Sequence, residues 1–149
     1  MIVVDASVAV KWFVVEEGHL SALALLEQNQ LLIAPDLIFP ETANVLWKKL
    51  RKAELTSEQS ETACTVLPEF FHRVIGTAGL IRQALAFAKR IDHSVYDCIY
   101  LACAQHQDAK LVTADKRFVS RVRDAELGHL AINLGEAASF TQVARPDQI

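Results

Sequence analysis

Cysteine is scarce in this chain and poorly placed for pairing. Cys64, Cys98 and Cys103 are odd in number and sit in apolar helical stretches, with no CxxC and no His/Cys ligand spacing. Neither a disulfide framework nor a zinc site is supported. Glycine (5) and proline (4) are few among 149 residues, and no linker, low-complexity segment or internal repeat interrupts the sequence. One domain with a full core is expected. No uncharged run approaches the ~20 residues that span a bilayer. The first strand candidate begins at Ile2, which leaves no room for a cleaved signal peptide, so a cytoplasmic location is expected. Basic charge is not in excess: 15 Lys and Arg against 18 Asp and Glu give a net charge of −3. Any contact with nucleic acid must therefore rest on a local patch.

Apolar residues are plentiful. A hydrophobic fraction of 52% with 22% charged residues marks a globular chain, and the apolar surplus points to a surface for self-association or a partner. Strand and helix signals alternate. The pattern predicts a strand over 2–4, helices over 7–14 and 18–29, and a strand over 31–34. A long amphipathic helix follows over 37–52, with Pro40 in its first turn or resetting its start. Another helix enters through Thr56 or Ser57 and stops near Pro68. Then come a strand over 71–75, helices over 80–91 and 95–106, a strand over 110–113, a short helix over 116–124 and a weak strand over 129–132. The domain is expected to occupy 1–140, with 141–149 a loose tail. Such alternation predicts an α/β fold on a parallel sheet covered on both faces. Ligands of these folds bind beyond the carboxyl ends of the strands.

Four acids belong at that edge, and each has an ordinary structural explanation. Asp5 follows a strand and precedes a helix, as an N-cap does. Glu41 lies early in a helix, where negative charge suits the dipole. Ser94-Val95-Tyr96-Asp97 matches a capping box, and Asp115 is another candidate N-cap. Together they read differently. Asp5 and Asp115 leave strand ends, while Asp97 and Glu41 stand at or near helix N-termini, so all four can converge on one crevice. Close carboxylates repel unless a cation sits among them. Mg²⁺ and Mn²⁺ prefer such oxygen ligands and complete their shells with water or substrate phosphate.

The stretches "IVVDASV", "PDLIFPETANVLW", "HSVYDCIYLACA" and "LVTADKRF" resemble the four acidic signatures of the PIN domain, most closely those of VapC toxin ribonucleases. The resemblance runs from Ile2 to about Ala138. It implies a three-layer α/β/α sandwich on a mainly parallel sheet, with Mg²⁺- or Mn²⁺-dependent RNA hydrolysis by Asp5, Glu41, Asp97 and Asp115. It also implies support by hydrogen bonds from Ser7 and Thr113, with Asn44 facing the same crevice one turn after Glu41. Many relatives carry a further acid after the last aspartate, whereas Lys116 and Arg117 stand here. One well-held ion is therefore expected, joined by a second only with substrate. A protein antitoxin reaching into the acidic crevice and a homodimer are the implied partners. A PIN nuclease working outside a toxin pair and a catalytically silent PIN-fold module stay open as alternatives. A receiver-like phospho-acceptor fits poorly, because only one acid follows the first strand and the lysine expected after a late strand is missing.

Glu41, Asn44, Lys48 and Lys52 share roughly one helical stripe, so Lys48 and Lys52 are candidate RNA phosphate contacts. Lys116, Arg117 and Arg121 are candidates on the other side of the crevice, although a solvated face explains all of these equally. Trp12 and Trp47 fit core or interface packing better than base stacking. The adjacent aromatics Trp12 and Phe13 suggest the dimer surface. His93, beside Ser94, reads as a surface residue rather than a general base.

Overall fold

A computed structural model of the protein describes residues 1–142. Five parallel strands make one sheet: β1 (Ile2–Val4), β2 (Leu32–Pro35), β3 (Arg73–Ile75), β4 (Lys110–Thr113) and β5 (Ala131–Asn133). Their order is β3-β2-β1-β4-β5. The chain builds outward from β1 in one direction and then crosses over to build in the other, so β1 and β4 flank the point where the winding reverses. Val3 pairs with Leu111 and Val4 with Val112. One residue further along this register, Asp5 comes level with Thr113. That is where the crevice of a doubly wound sheet opens.

Among the described residues eight α-helices accompany the sheet: α1 (Ala6–Ala9), α2 (His19–Glu27), α3 (Ile38–Arg51), α4 (Ser57–Val66), α5 (Ile81–Ile91), α6 (Val95–His106), α7 (Lys116–Asp124) and α8 (Leu134–Gln142). Residues 98–104 of α6 are all buried, as expected of a helix apolar on every side that lies against the sheet and α5. Pro40 sits in the first turn of α3, where its missing N–H costs nothing. Thr56 closes a full capping box on α4 with Gln59. With so few glycines, Ala53, Asp92, Asp108 and Glu126 take the left-handed conformation just after helices.

Several expected bounds need correction. The helix expected over 7–14 is α1 followed by a 3-10 turn over Val10–Trp12, because the backbone tightens to bring Phe13 N–H onto the Val10 carbonyl. The strands expected from 71 and 129 each begin two residues later, at Arg73 and Ala131. α8, which the weak amphipathicity of its sequence hides, runs on through Thr141 and Gln142; residues 143–149 of the expected tail lie outside the described residues.

Trp12 also turns inward. Its indole N–H donates to the Ala22 carbonyl at 3.0 Å, and its ring packs on Phe70 and Phe71. Phe13 meets Phe70 as well, so this aromatic pair lies inside the protomer and is not a ready dimer surface. Trp47 is instead half exposed beneath the Arg51 guanidinium. Trp12→Ala should therefore cost about 3–5 kcal/mol, and Trp47→Ala less than about 1 kcal/mol, read from urea unfolding midpoints. Equal losses in the two variants would contradict this packing.

Candidate active site

Asp5 leaves β1 and caps α1. Its Oδ1 accepts the Ser7 hydroxyl at 2.5 Å and the Val8 N–H at 3.2 Å. Ser7 Oγ also accepts the Ala114 N–H at 3.0 Å, and Thr113 Oγ1 lies 3.4 Å from it. Thr113 Oγ1 in turn accepts the Asp115 N–H at 3.1 Å. Asp115 caps α7, with Oδ1 accepting the Phe118 N–H at 2.9 Å. Both aspartates are thus true caps, and capping uses only one oxygen of each.

Glu41, in the first turn of α3, is half-buried, and its Oε2 accepts the Tyr100 hydroxyl at 2.6 Å. Asp97 stands in the first turn of α6 without closing the expected capping box. Ser94 accepts the Tyr96 N–H instead, while Asp97 turns its Oδ2 to within 2.7 Å of His93 Nε2. His93 is no surface residue: its side chain is 16% exposed and its ring rests on Phe118 with centroids 4.6 Å apart. Each of Asp97, Asp115 and His93 presents a ligand atom within 4.8 Å of the others. Asp5 and Glu41 lie outside that group; burial is the main cause that raises the pKa of both, and the charge of Asp97 adds a smaller upward push.

Tyr100 and His93 are the two site residues the sequence reading missed. Both carried a signal. A phenol inside the apolar run "CIYLACA" needs a buried hydrogen-bond partner, and His93 precedes Asp97 by one helical turn. Asn44 is exposed on α3, as are Lys48 and Lys52 further along it. Two clefts meet at Asp115. One, of about 640 Å³, is lined by Lys11, Gly18, Ser21 and Lys116 among others. The other, of about 540 Å³, includes His93, Ser94, Arg117 and Arg121. Lys48 and Lys52 line neither cleft.

Burial raises the Asp5 pKa to about 6, against hydrogen bonds from Ser7, Thr113 and Val8 that pull it down. Burial also raises Glu41. Among the described residues no Lys or Arg forms an ion pair with any of the four acids. A buried carboxylate with acid neighbours and no cationic partner, offering only oxygen ligands, fits a hard divalent cation.

The pKa shift of Asp5 has a sign for stability. Folding raises this acid's pKa, so its stabilising contribution is present below 3.8 and is lost as pH rises through about 6. At neutral pH the charged form costs the metal-free fold about 3 kcal/mol. Asparagine keeps the cap without the charge. Metal-free Asp5→Asn should therefore melt up to about 10 °C above the parent near about pH 8, and that gap should close near about pH 4. A melting difference independent of pH would contradict the buried-charge account.

A model of the PIN domain family matches residues 2–124. The chain is 34% identical over 122 residues to "Ribonuclease VapC3" of Pyrobaculum aerophilum, covering 80% of this chain and 93% of that protein. The crystal structure of PAE2754 from Pyrobaculum aerophilum superposes with a TM-score of 0.72 at 20% identity, covering 95% of this chain and 96% of that one. That of Mycobacterium tuberculosis VapC20, described as a sarcin-ricin loop cleaving toxin, gives 0.66 at 19% identity over 80% of this chain and 94% of that one. At these identities the two structures speak for the fold. The family match and the VapC3 relative go beyond the fold: this chain belongs to the PIN domain family.

Proposed function

We propose that the protein is a metal-dependent endoribonuclease, a hydrolase of RNA phosphodiester bonds, and the toxin of a type II toxin–antitoxin pair. The observation that carries the chemistry is the buried Asp5 carboxylate, which has acid neighbours and no cationic partner. The ribonuclease relative supports RNA as substrate.

Asp5, Asp97 and Asp115, with Glu41, would hold Mg²⁺ or Mn²⁺, directly or through water. Bound there, such an ion polarises a phosphate and lowers the pKa of water. The remaining chemistry belongs to side chains. Tyr100 occupies Oε2 of Glu41, leaving Oε1 to orient the attacking water and take its proton. Burial keeps this glutamate more basic than an exposed one. No covalent protein nucleophile is needed: water adds to phosphorus, and the departing ribose oxygen acquires a proton from solvent. Ser7 and Thr113 hold Asp5 in place, and Asn44 would act at the mouth of the site.

Lys116 and Arg117 are the best-placed phosphate contacts, since they line the clefts on either side of Asp115. Lys48 and Lys52 would extend the path along α3. No helix among the described residues is long and apolar enough to cross a membrane, which suits a toxin acting on cytoplasmic RNA. Exposed Ile81 and Leu85, one turn apart on α5, offer an apolar strip for a homodimer. A basic side chain of the antitoxin entering the acidic crevice would relieve the same repulsion as the metal.

Asp97→Asn should fold yet lose more than about 100-fold in Mn²⁺-dependent cleavage of single-stranded RNA, and chelator should abolish cleavage by the parent. A folded Asp97→Asn variant with full activity would falsify the metal assignment. Coexpression with a neighbouring short antitoxin gene should suppress toxicity; unchanged toxicity would favour a nuclease outside any toxin pair. Lys116→Ala should weaken RNA binding and flatten the log–log salt slope by about 0.7, whereas an unaltered slope would remove this lysine from the RNA path.

A further inference from the structure

We infer that His93 is a positioning residue, fixing the Asp97 carboxylate in the orientation that cation binding requires. The inference rests on the metal-dependent reading above. Three contacts from α7 and its cap converge on the short connection between α5 and α6. Asp115 faces Asp97 across the group they form with His93. Three residues later Phe118 lies under the His93 ring, 4.6 Å between centroids with the planes tilted by 32°. Three further on, Arg121 donates to the carbonyls of Ile91 and Asp92. From the other side, the His93 N–H donates to the Ala88 carbonyl at 3.2 Å. The imidazole is therefore held by its ring face and its backbone at once.

What the held ring does is settled by its contact with Asp97. Nε2 stands 2.7 Å from Oδ2, and an ionised carboxylate can only accept, so the ring form that fits this contact carries a proton on Nε2. A protonated ring nitrogen has no lone pair for a metal. This nitrogen consequently orients the ligand instead of being one. It occupies one oxygen of Asp97 and leaves the other free. Asp97 needs such a restraint, because its side chain is 38% exposed and no cap bond ties it down. Hydrogen-bond partners of metal-binding carboxylates typically contribute 10–100-fold to metal affinity.

Two substitutions separate this role from packing. His93→Phe keeps an aromatic ring on Phe118 and removes the N–H, while His93→Gln restores an N–H donor without the ring. Mn²⁺ titration calorimetry on the full chain, with metal-free melting curves alongside, reads both. His93→Phe should bind Mn²⁺ about 10–100-fold more weakly at an almost unchanged melting temperature, and His93→Gln should recover most of the affinity. Parent-like affinity in His93→Phe would overturn the inference. So would equal weakness in both variants, which would make the imidazole itself a ligand. A parent that binds no Mn²⁺ would instead overturn the metal-dependent reading beneath it.

Discussion

The hydroxyl of Ser7 joins two strand ends that their own charges would drive apart. It gives its single proton to Asp5 and accepts the N–H of Ala114, so it bridges the turn after β1 and the turn after β4. Thr113 continues the bridge, with its hydroxyl beside Ser7 and its oxygen accepting the Asp115 N–H. Asp5 and Asp115 leave the sheet on either side of its reversal point and carry like charge. The parallel register of β1 and β4 brings them near, and this run of neutral donors and acceptors keeps them in position. An alanine at either position would leave N–H groups to find other partners beside a buried carboxylate.

α7 extends the same logic to the third aspartate. Its cap supplies Asp115, its first turn supplies the Phe118 ring, and its second supplies Arg121. All three face the connection that carries His93 and leads into Asp97. Asp92 in that connection takes a left-handed conformation (φ 50°, ψ 57°), which turns the chain sharply from α5 into α6. The Arg121 bonds to the carbonyls of this turn are charge-assisted, the stronger kind of hydrogen bond. Arg121, a candidate RNA contact by sequence, commits its guanidinium to bonds inside the protein, whereas Lys116 and Arg117 have no such partner among the bonds of the described residues.

Where side-chain pattern and backbone periodicity coincide, the sequence was readable. The runs at 2–4, 31–34 and 110–113 read as strands and lie within a residue of β1, β2 and β4, and Asp5 and Asp115 follow the first and last of them as the pattern placed them. The helix starting at Thr56 was legible because its capping box is local chemistry. Other features depended on contacts between distant residues. Trp12 sits at helical spacing in a segment that is only partly α-helical, and its inward turn depends on Phe70 and Phe71, nearly sixty residues away. The expected capping box at Ser94 failed for a similar reason. His93, pressed onto Phe118 of another helix, competes for the Asp97 carboxylate and wins it. Tyr100 and Glu41 likewise meet only when α6 and α3 close over the same edge.

The acids differ in exposure, so burial acts on them unequally. Asp5 is almost wholly buried, Glu41 is half-buried, and Asp115 is open to solvent. Desolvation therefore falls hardest on Asp5, the residue that makes the metal-free fold sensitive to pH. The fully buried Cys98–Ala104 run of α6, seated against the sheet, offsets that cost by removing apolar surface from water. The same helix carries Asp97 at its exposed start and Tyr100 one turn inside, so one rigid element serves both ends of the gradient. The Tyr100 phenol, whose pKa burial drives upward beyond any physiological range, stays protonated and keeps donating to Glu41. A donor that cannot ionise at working pH orients one oxygen of Glu41 and adds no further negative charge beside the aspartates.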